Sequence, residues 1–363
     1  MPRGAASDGK EQTPEKRNLT FEDFVPRFVT YSENNNKGST IASKRNILAR
    51  HILPFFGRMP LAAIGLEQIE NFKAGMRKKR SGARARKDSA SPPALRMRKG
   101  SGPPLMSFRY INNTLSVLHK VLAMAQEQGV IAQVPRVKLF KLGRTAYDFL
   151  TFEEAERLVA EDEPEWRTIL LVALKAGLRQ GELMGLQWSD LDLHRGKIQV
   201  QRSLWKGIAG LPKGGRERTV DIPQSAIEAL KGLRHLRGPY VFCQEDGKPL
   251  TSGLIRRPLE RCLRLATIHR EQGHISWHDL RHTYGSHLAM RGVPLKVIQE
   301  RMGHANIEMT MRYAHLSPET RESAVQQLDR PSPIQPAASG HFTEGAHWGH
   351  MPASRTWSTP VSL

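Results

Sequence analysis

The chain has 363 residues, with 55 Lys and Arg against 35 Asp and Glu, a formal charge of +20 and a pI of about 10.3; that balance suits a polyanionic partner, nucleic acid first. Only two cysteines, Cys243 and Cys262, are present, which excludes a disulfide framework or a thiolate metal cluster and predicts a reducing, cytoplasmic setting. The polar first 18 residues lack the apolar core of a signal peptide, and no run of about 18 apolar residues predicts a membrane span.

Residues 1–18 read as a disordered arm. A helical pattern begins at Leu19, with Thr20 as N-cap, Asp23 in a capping-box position, and Phe21, Phe24, Val25, Phe28 and Val29 forming one apolar stripe. Further helices are predicted over Ser39 to Ile52, Leu66 to about Met76, and Ser107 to Gln128, the last burying Ile111, Leu115, Leu118, Val121, Leu122 and Met124. Together these make an all-helical domain over 19–135. It is interrupted at 77–104, where ten Lys or Arg stand against the single acid Asp88 among Ser, Gly and Pro. Such a stretch cannot bury a core and reads as a loop, either a basic arm for phosphates or a solvated insert.

A basic linker follows over 136–147, and a second domain over 148–330. That domain opens on a helix capped by Thr151, with Glu153 and Glu154 in its first turn. A helix from Trp166 to Ala176 ends at Gly177. Strand-like runs at 196–205 and 217–223, parted by a glycine-rich stretch, predict a hairpin with Lys213 in its tight loop. From Ser225 to about Gln327 the chain reads as helical, and 331–363 as a disordered tail.

Four segments of the second domain carry candidate chemistry: AGLRQGELMGLQWSDLD with Arg179 and Glu182, LPKGGRERTVDIP with Lys213, HDLRHTYGSHLAMRG with His278 and Arg281, and ERMGHANIEMTMRYAHL with His304 and Tyr313. Taken singly, each residue has an ordinary explanation as a surface charge, a hydrogen-bonded histidine or a packed ring. Together they supply what phosphodiester attack requires. Guanidinium forks and imidazole donors suit the charge that grows on the non-bridging oxygens. A tyrosine, with an ordinary pKa of about 10, must shed its proton as it attacks. A lysine ammonium can protonate the departing oxygen.

The order Arg, Lys, His-x-x-Arg, Gly-His, Tyr in GLRQGEL (177–183), PKGGRERTV (212–220), HDLRHTYGSHL (278–288) and MGHANIEMTMRYAHL (302–316) resembles the signature of the tyrosine recombinase (phage integrase) family. The resemblance implies an α+β, mainly helical fold: an all-helical core-binding domain and a mixed catalytic domain with a small antiparallel sheet, together a C-shaped DNA clamp. It implies that Tyr313 forms a 3′-phosphotyrosyl link and frees a 5′-hydroxyl. Arg179 and Arg281 would hold the scissile phosphate, Lys213 would protonate the leaving oxygen, His278 would accept the tyrosine proton, and His304 would donate to the phosphate, with Glu182 in support. Neither metal, cofactor nor ATP is implied. The implied partners are double-stranded DNA at specific sites, a homotetramer in the synaptic complex and accessory DNA-bending proteins, with a nucleoid location. Ala314 to Leu328 would dock on a neighbouring protomer. Met302 departs from the commoner Leu, a volume-conserving change, and the insert at 77–104 exceeds the compact family layout, which leans toward a mobile-element integrase.

Three rival readings stand beside it. As a zinc hydrolase, the chain would use His278 and His282, which have the i,i+4 spacing of a helical metal pair, although Asp279 is one carbon shorter than the usual Glu base, Arg281 would put a cation beside the metal, and no clear third ligand follows at the customary distance. An inactive accessory DNA-binding relative would lack a catalytic position. A type IB topoisomerase-like enzyme would relax supercoils without exchanging strands.

Overall fold

The computed structural model describes residues 19–80, 104–143, 147–160, 164–270, 274–317 and 329. The expected arm, most of the basic insert, the tail, and 318–328 of the expected docking segment lie outside the described residues. The chain divides into two units, Met1–Thr283 and Tyr284–Leu363.

The first unit contains two separate hydrophobic cores. The N-terminal core is helical. Helix α1 (Phe21–Asn35) is capped by Thr20, whose side chain accepts from the Asp23 N–H, and it buries Phe21, Phe24, Val25 and Phe28. Helix α2 (Gly38–Ile47) runs on through a π-helical turn (Leu48–Ile52) into a last α turn (Leu53–Phe56). Pro54 has no N–H for the carbonyl four residues back; that carbonyl, on Arg50, accepts instead from Lys79 Nζ at 3.3 Å. Helix α3 (Leu66–Lys78) is two residues longer than the periodicity predicts. Helix α4 (Phe108–Glu127) is capped by Ser107 and buries Ile111, Leu115, Leu118, Val121 and Leu122. The two ends of the basic insert meet: Arg80 and Leu105 form an antiparallel bridge, and the Met106 N–H donates to the Lys79 carbonyl at 3.1 Å. The start of the linker is pinned as well. Asn112 donates to and accepts from the Phe140 backbone, 2.9 Å each way, and the Phe140 ring stacks on Phe108.

The second core begins at α5 (Phe152–Ala160), where Thr151 and Glu154 bond each other's backbone N–H in a capping box. Arg270 ties this start down, donating to Asp148, to both oxygens of Glu154 and to the Phe149 carbonyl. Helix α6 (Pro164–Ala176) and the short α7 (Gln180–Met184) lead into a three-stranded antiparallel sheet. Its strands are β1 (Leu191–Asp192), β2 (Lys197–Val200) and β5 (Arg218–Asp221), in the order β1-β2-β5, with Ile198 opposite Val220.

Two expectations from the sequence do not hold. The run 196–205 is two strands: after β2 the chain breaks at Gln201–Arg202, and β3 (Ser203–Trp205) pairs with β4 (Ile208–Gly210) in a hairpin of its own. Lys206 (φ 50°) and Gly207 (φ 80°) form its two-residue loop, the left-handed pair that hairpin twist favours. The expected antiparallel pairing of the two runs holds, as β2 with β5, but the connection between them carries the β3–β4 hairpin, so Lys213 is in no tight hairpin loop; it lies in a turn before β5, closed by the Gly215 N–H on the Pro212 carbonyl. Nor is the chain helical throughout after Ser225. Helix α8 (Gln224–Gly232) and α9 (Arg256–Leu265) are separated by irregular chain held by single bridges, Gln187 with Tyr240 and Cys243 with Pro249. More irregular chain precedes α10 (Trp277–Met290).

Among the described residues, the second unit comprises the end of α10, α11 (Leu295–Met302) and two 3-10 turns, Ile307–Met309 and Met311–Leu316. Ala289, Ile298, Met302, Thr310 and Tyr313 are buried. Among the described residues no helix is long and apolar enough to cross a membrane.

Candidate active site

Two of the first unit's guanidinium groups meet at one bend. Helix α6 ends at Gly177, whose φ of 59° is left-handed and favours glycine. The chain then extends through Arg179, the N-cap of α7. Glu182, in the third position of that helix, reaches back to the Arg179 N–H at 2.9 Å. Its other oxygen accepts from Arg179 Nη1, also at 2.9 Å. Arg281 comes from α10, is 2% exposed, and donates through Nη1 to the Gly177 carbonyl. Arg179 and Arg281 are thus anchored on the same three-residue segment.

A third cation was not singled out by sequence. Arg218, at the start of β5, grips Glu182 with both terminal nitrogens, at 3.0 and 2.7 Å. The Glu182 side chain has no exposed surface. Burial alone would raise its pKa, yet the hydrogen bonds and charge of Arg218, joined by Arg179, hold it at about 2. The carboxylate is thus ionised at neutral pH and shared between two arginines. A signal for Arg218 was available: it lies two residues from the core residue Val220 on the same face of a strand, where a cation requires a buried acid.

Lys213 is exposed, with left-handed Gly214 and Gly215 directly after it. His278 is exposed at the start of α10 and meets the ring of His282 edge-on at 4.7 Å. This is the pair behind the zinc reading; among the described residues no group of three or more His, Cys, Asp or Glu is placed to hold a metal.

In the second unit, α11 ends in a Schellman motif. The Gly303 N–H reaches the Glu300 carbonyl at 3.0 Å, the His304 N–H reaches the Gln299 carbonyl at 3.1 Å, and Gly303 takes φ 62°. This explains a glycine directly before His304 and fixes that residue's backbone. His304 Nδ1 lies 2.8 Å from the hydroxyl of the buried Thr310, a partner that sequence reasoning missed. Tyr313 sits in the following 3-10 turn and is fully buried. Its ring lies over Gly285, where a Cβ would come within 2.7 Å of the tyrosine Cζ, and that same Cβ position is 2.9 Å from the Met302 sulfur.

Among known proteins, the model of the phage integrase family matches residues 148–320, and that of the phage integrase N-terminal SAM-like domain matches 20–76. A tyrosine recombinase of Thermosipho africanus is 30% identical over 225 residues, 60% of this chain and 75% of the relative. The ICEBs1 integrase of Bacillus subtilis is 23% identical over 88% of this chain and 85% of its own length. With a XerC-like tyrosine recombinase of Caldanaerobacter subterraneus the identity is 32%, and the chain spans about half of that relative's length (49%). Among solved structures, the Tn1549 transposon integrase in complex with a circular intermediate DNA matches 86% of this chain and all of its own, with TM-score 0.68 at 20% identity, a likeness of fold.

Proposed function

Since the chain belongs to the phage integrase family, we propose that it is a site-specific DNA recombinase that cuts and rejoins duplex DNA through a 3′-phosphotyrosyl intermediate. The observation that carries this reading is the pair of guanidinium groups, Arg179 and Arg281, fixed on the segment 177–179 by a buried carboxylate and a backbone carbonyl. Donors held in place before the substrate arrives lose little on reorganisation as charge develops on phosphate oxygens.

In the reaction, Tyr313 Oη bonds to phosphorus while the bond from phosphorus to the 5′-oxygen breaks. His278 takes the tyrosine proton, and Lys213 gives one to the leaving oxygen. His304 donates to a non-bridging oxygen from Nε2, a role that requires Nδ1 to accept from the Thr310 hydroxyl 2.8 Å away. A second 5′-hydroxyl reverses the step, and the phosphotyrosyl bond conserves the energy, so ATP is not required. Residues 19–135 form the core-binding domain, 136–147 the linker and 148–330 the catalytic domain; a homotetramer joins two sites, and residues 314–328 dock on a neighbour. The likeness to an integrase of a mobile element over most of the chain's length favours an integrative element as its setting.

The test is to denature the protein rapidly in contact with host DNA, with EDTA present, and sequence what remains covalently attached. A discrete set of sites bearing protein on the 3′ side is expected. Adducts scattered without sequence preference would indicate a topoisomerase-like enzyme, and adducts lost to EDTA would restore the metal reading. For the basic insert, replacing its ten Lys and Arg with neutral residues should flatten the dependence of log K on log salt. An unchanged slope in a filter-binding titration would remove the insert from the phosphate contacts.

A further inference from the structure

The turn that bears Lys213 is held from a distant part of the chain. Lys37, in the connection between α1 and α2, extends its ammonium to the carbonyls of Leu211 and Pro212, at 3.0 and 3.2 Å. These are the two residues immediately before Lys213. The Pro212 carbonyl also closes the turn on the Gly215 N–H, so both of its lone pairs are engaged. Next to Lys37, Gly38 lies against the six-membered ring of Trp205, and a Cβ there would stand 3.3 Å from Cζ3. Trp205 belongs to the β3–β4 hairpin that leads into the Lys213 turn. Two adjacent residues of the helical part therefore touch the hairpin and the turn at separate points. Downstream of Lys213 the backbone passes into Gly214 and Gly215, which carry glycine's conformational freedom.

We infer that Lys37 is a positioning residue for Lys213: by fixing the two carbonyls upstream, it sets where the Lys213 ammonium stands when the 5′-oxygen leaves. A general acid acts only within hydrogen-bond reach of the atom it protonates, and a misplacement of about 1 Å can cost on the order of a hundredfold. The inference rests on the proposed role of Lys213, and the experiment separates the two.

The probe is a nicked duplex carrying the protein's own site, made with either oxygen or sulfur as the 5′ bridging atom of the scissile phosphate. A thiolate leaves without a proton, so sulfur removes the demand for the acid and for whatever positions it. Single-turnover cleavage is measured at saturating DNA. Lys37→Met, which keeps the exposed stem and loses the donors, should cut the oxygen substrate about 10- to 100-fold more slowly and the sulfur substrate at nearly the wild-type rate. Lys37→Arg, which keeps a donor in reach, should recover most of the oxygen rate. Lys213→Ala should fall further, about 10²- to 10⁴-fold, and should also recover on sulfur.

If Lys213→Ala does not recover on sulfur, the role given to Lys213 fails, and the inference with it. If Lys213→Ala recovers but Lys37→Met is slowed equally on both substrates, or on neither, Lys37 does not position the acid. A Lys37→Met defect that vanishes as DNA concentration rises would make Lys37 a phosphate contact instead and would overturn the inference.

Discussion

Tyr313→Phe is expected to leave no protein covalently joined to a nicked duplex carrying the recombination site, while the wild-type chain accumulates on the same DNA. A phenyl ring has no oxygen to offer phosphorus, so the loss should be complete and not merely a slowing. Folding should be nearly untouched, because the ring, with its seat over Gly285 beside Met302, is retained; loss of one hydroxyl changes stability by about 1 kcal/mol. Binding of intact duplex should also persist. The measurement is a denaturing gel of labelled substrate, paired with a native gel for binding and a melting curve for the fold. Wild-type amounts of adduct from the phenylalanine variant would place the nucleophile on another residue and refute a phosphotyrosyl link at position 313.

Glu182→Ala is expected to have the largest effect on stability. It would leave Arg179 and Arg218 facing each other around a vacated carboxylate with no exposed surface. Removing one member of a buried charge network costs about 3–5 kcal/mol. Because Glu182 also orients Arg179, cleavage should fall in any fraction that remains folded. The isosteric Glu182→Gln keeps the volume and permits a finer test by pH. In the folded chain the Glu182 pKa lies near 2, against an ordinary value of 4.5. Its contribution is therefore fully present above about pH 5 and is lost as pH falls from 4.5 through 2, about 3 kcal/mol in all. Urea unfolding midpoints should decline over that window in the wild type and decline less in Glu182→Gln. Parallel declines would show that the carboxylate is not held in its ionised form by the two arginines.

Periodicity and order made part of this legible in the sequence. The Thr20 cap, the phenylalanine stripe of α1 and the buried side of α4 depend on neighbours three and four residues away, which a helix brings together locally. Where such local marks are missing, expectation and structure part. The sequence does not part β3 from β2, because Gln201–Arg202 breaks the strand without a proline or glycine to mark it, although Trp-Lys-Gly-Ile carries a two-residue turn signal. In the irregular chain from 233 to 255, Tyr240 bridges back to Gln187, which no local pattern encodes, while Cys243 and Pro249 bridge within the segment. At the candidate site the residue types and their order were readable, but the groups that orient them were not. Arg218 holds Glu182 across 36 residues and Lys37 holds Pro212 across 175. Such couplings arise only on folding.

The bridge between Arg80 and Leu105 sets the two flanks of the basic insert side by side, a single doorway in the helical core. Closing a longer or shorter connection between two flanks so placed changes the free energy by only about 0.6 kcal/mol per doubling of length, so the core should hardly sense that length. The position is therefore a socket: a foreign peptide or a fluorescent tag could be spliced between the two bridge residues, or the native stretch exchanged for a four-residue turn, with the surrounding helices left as they are.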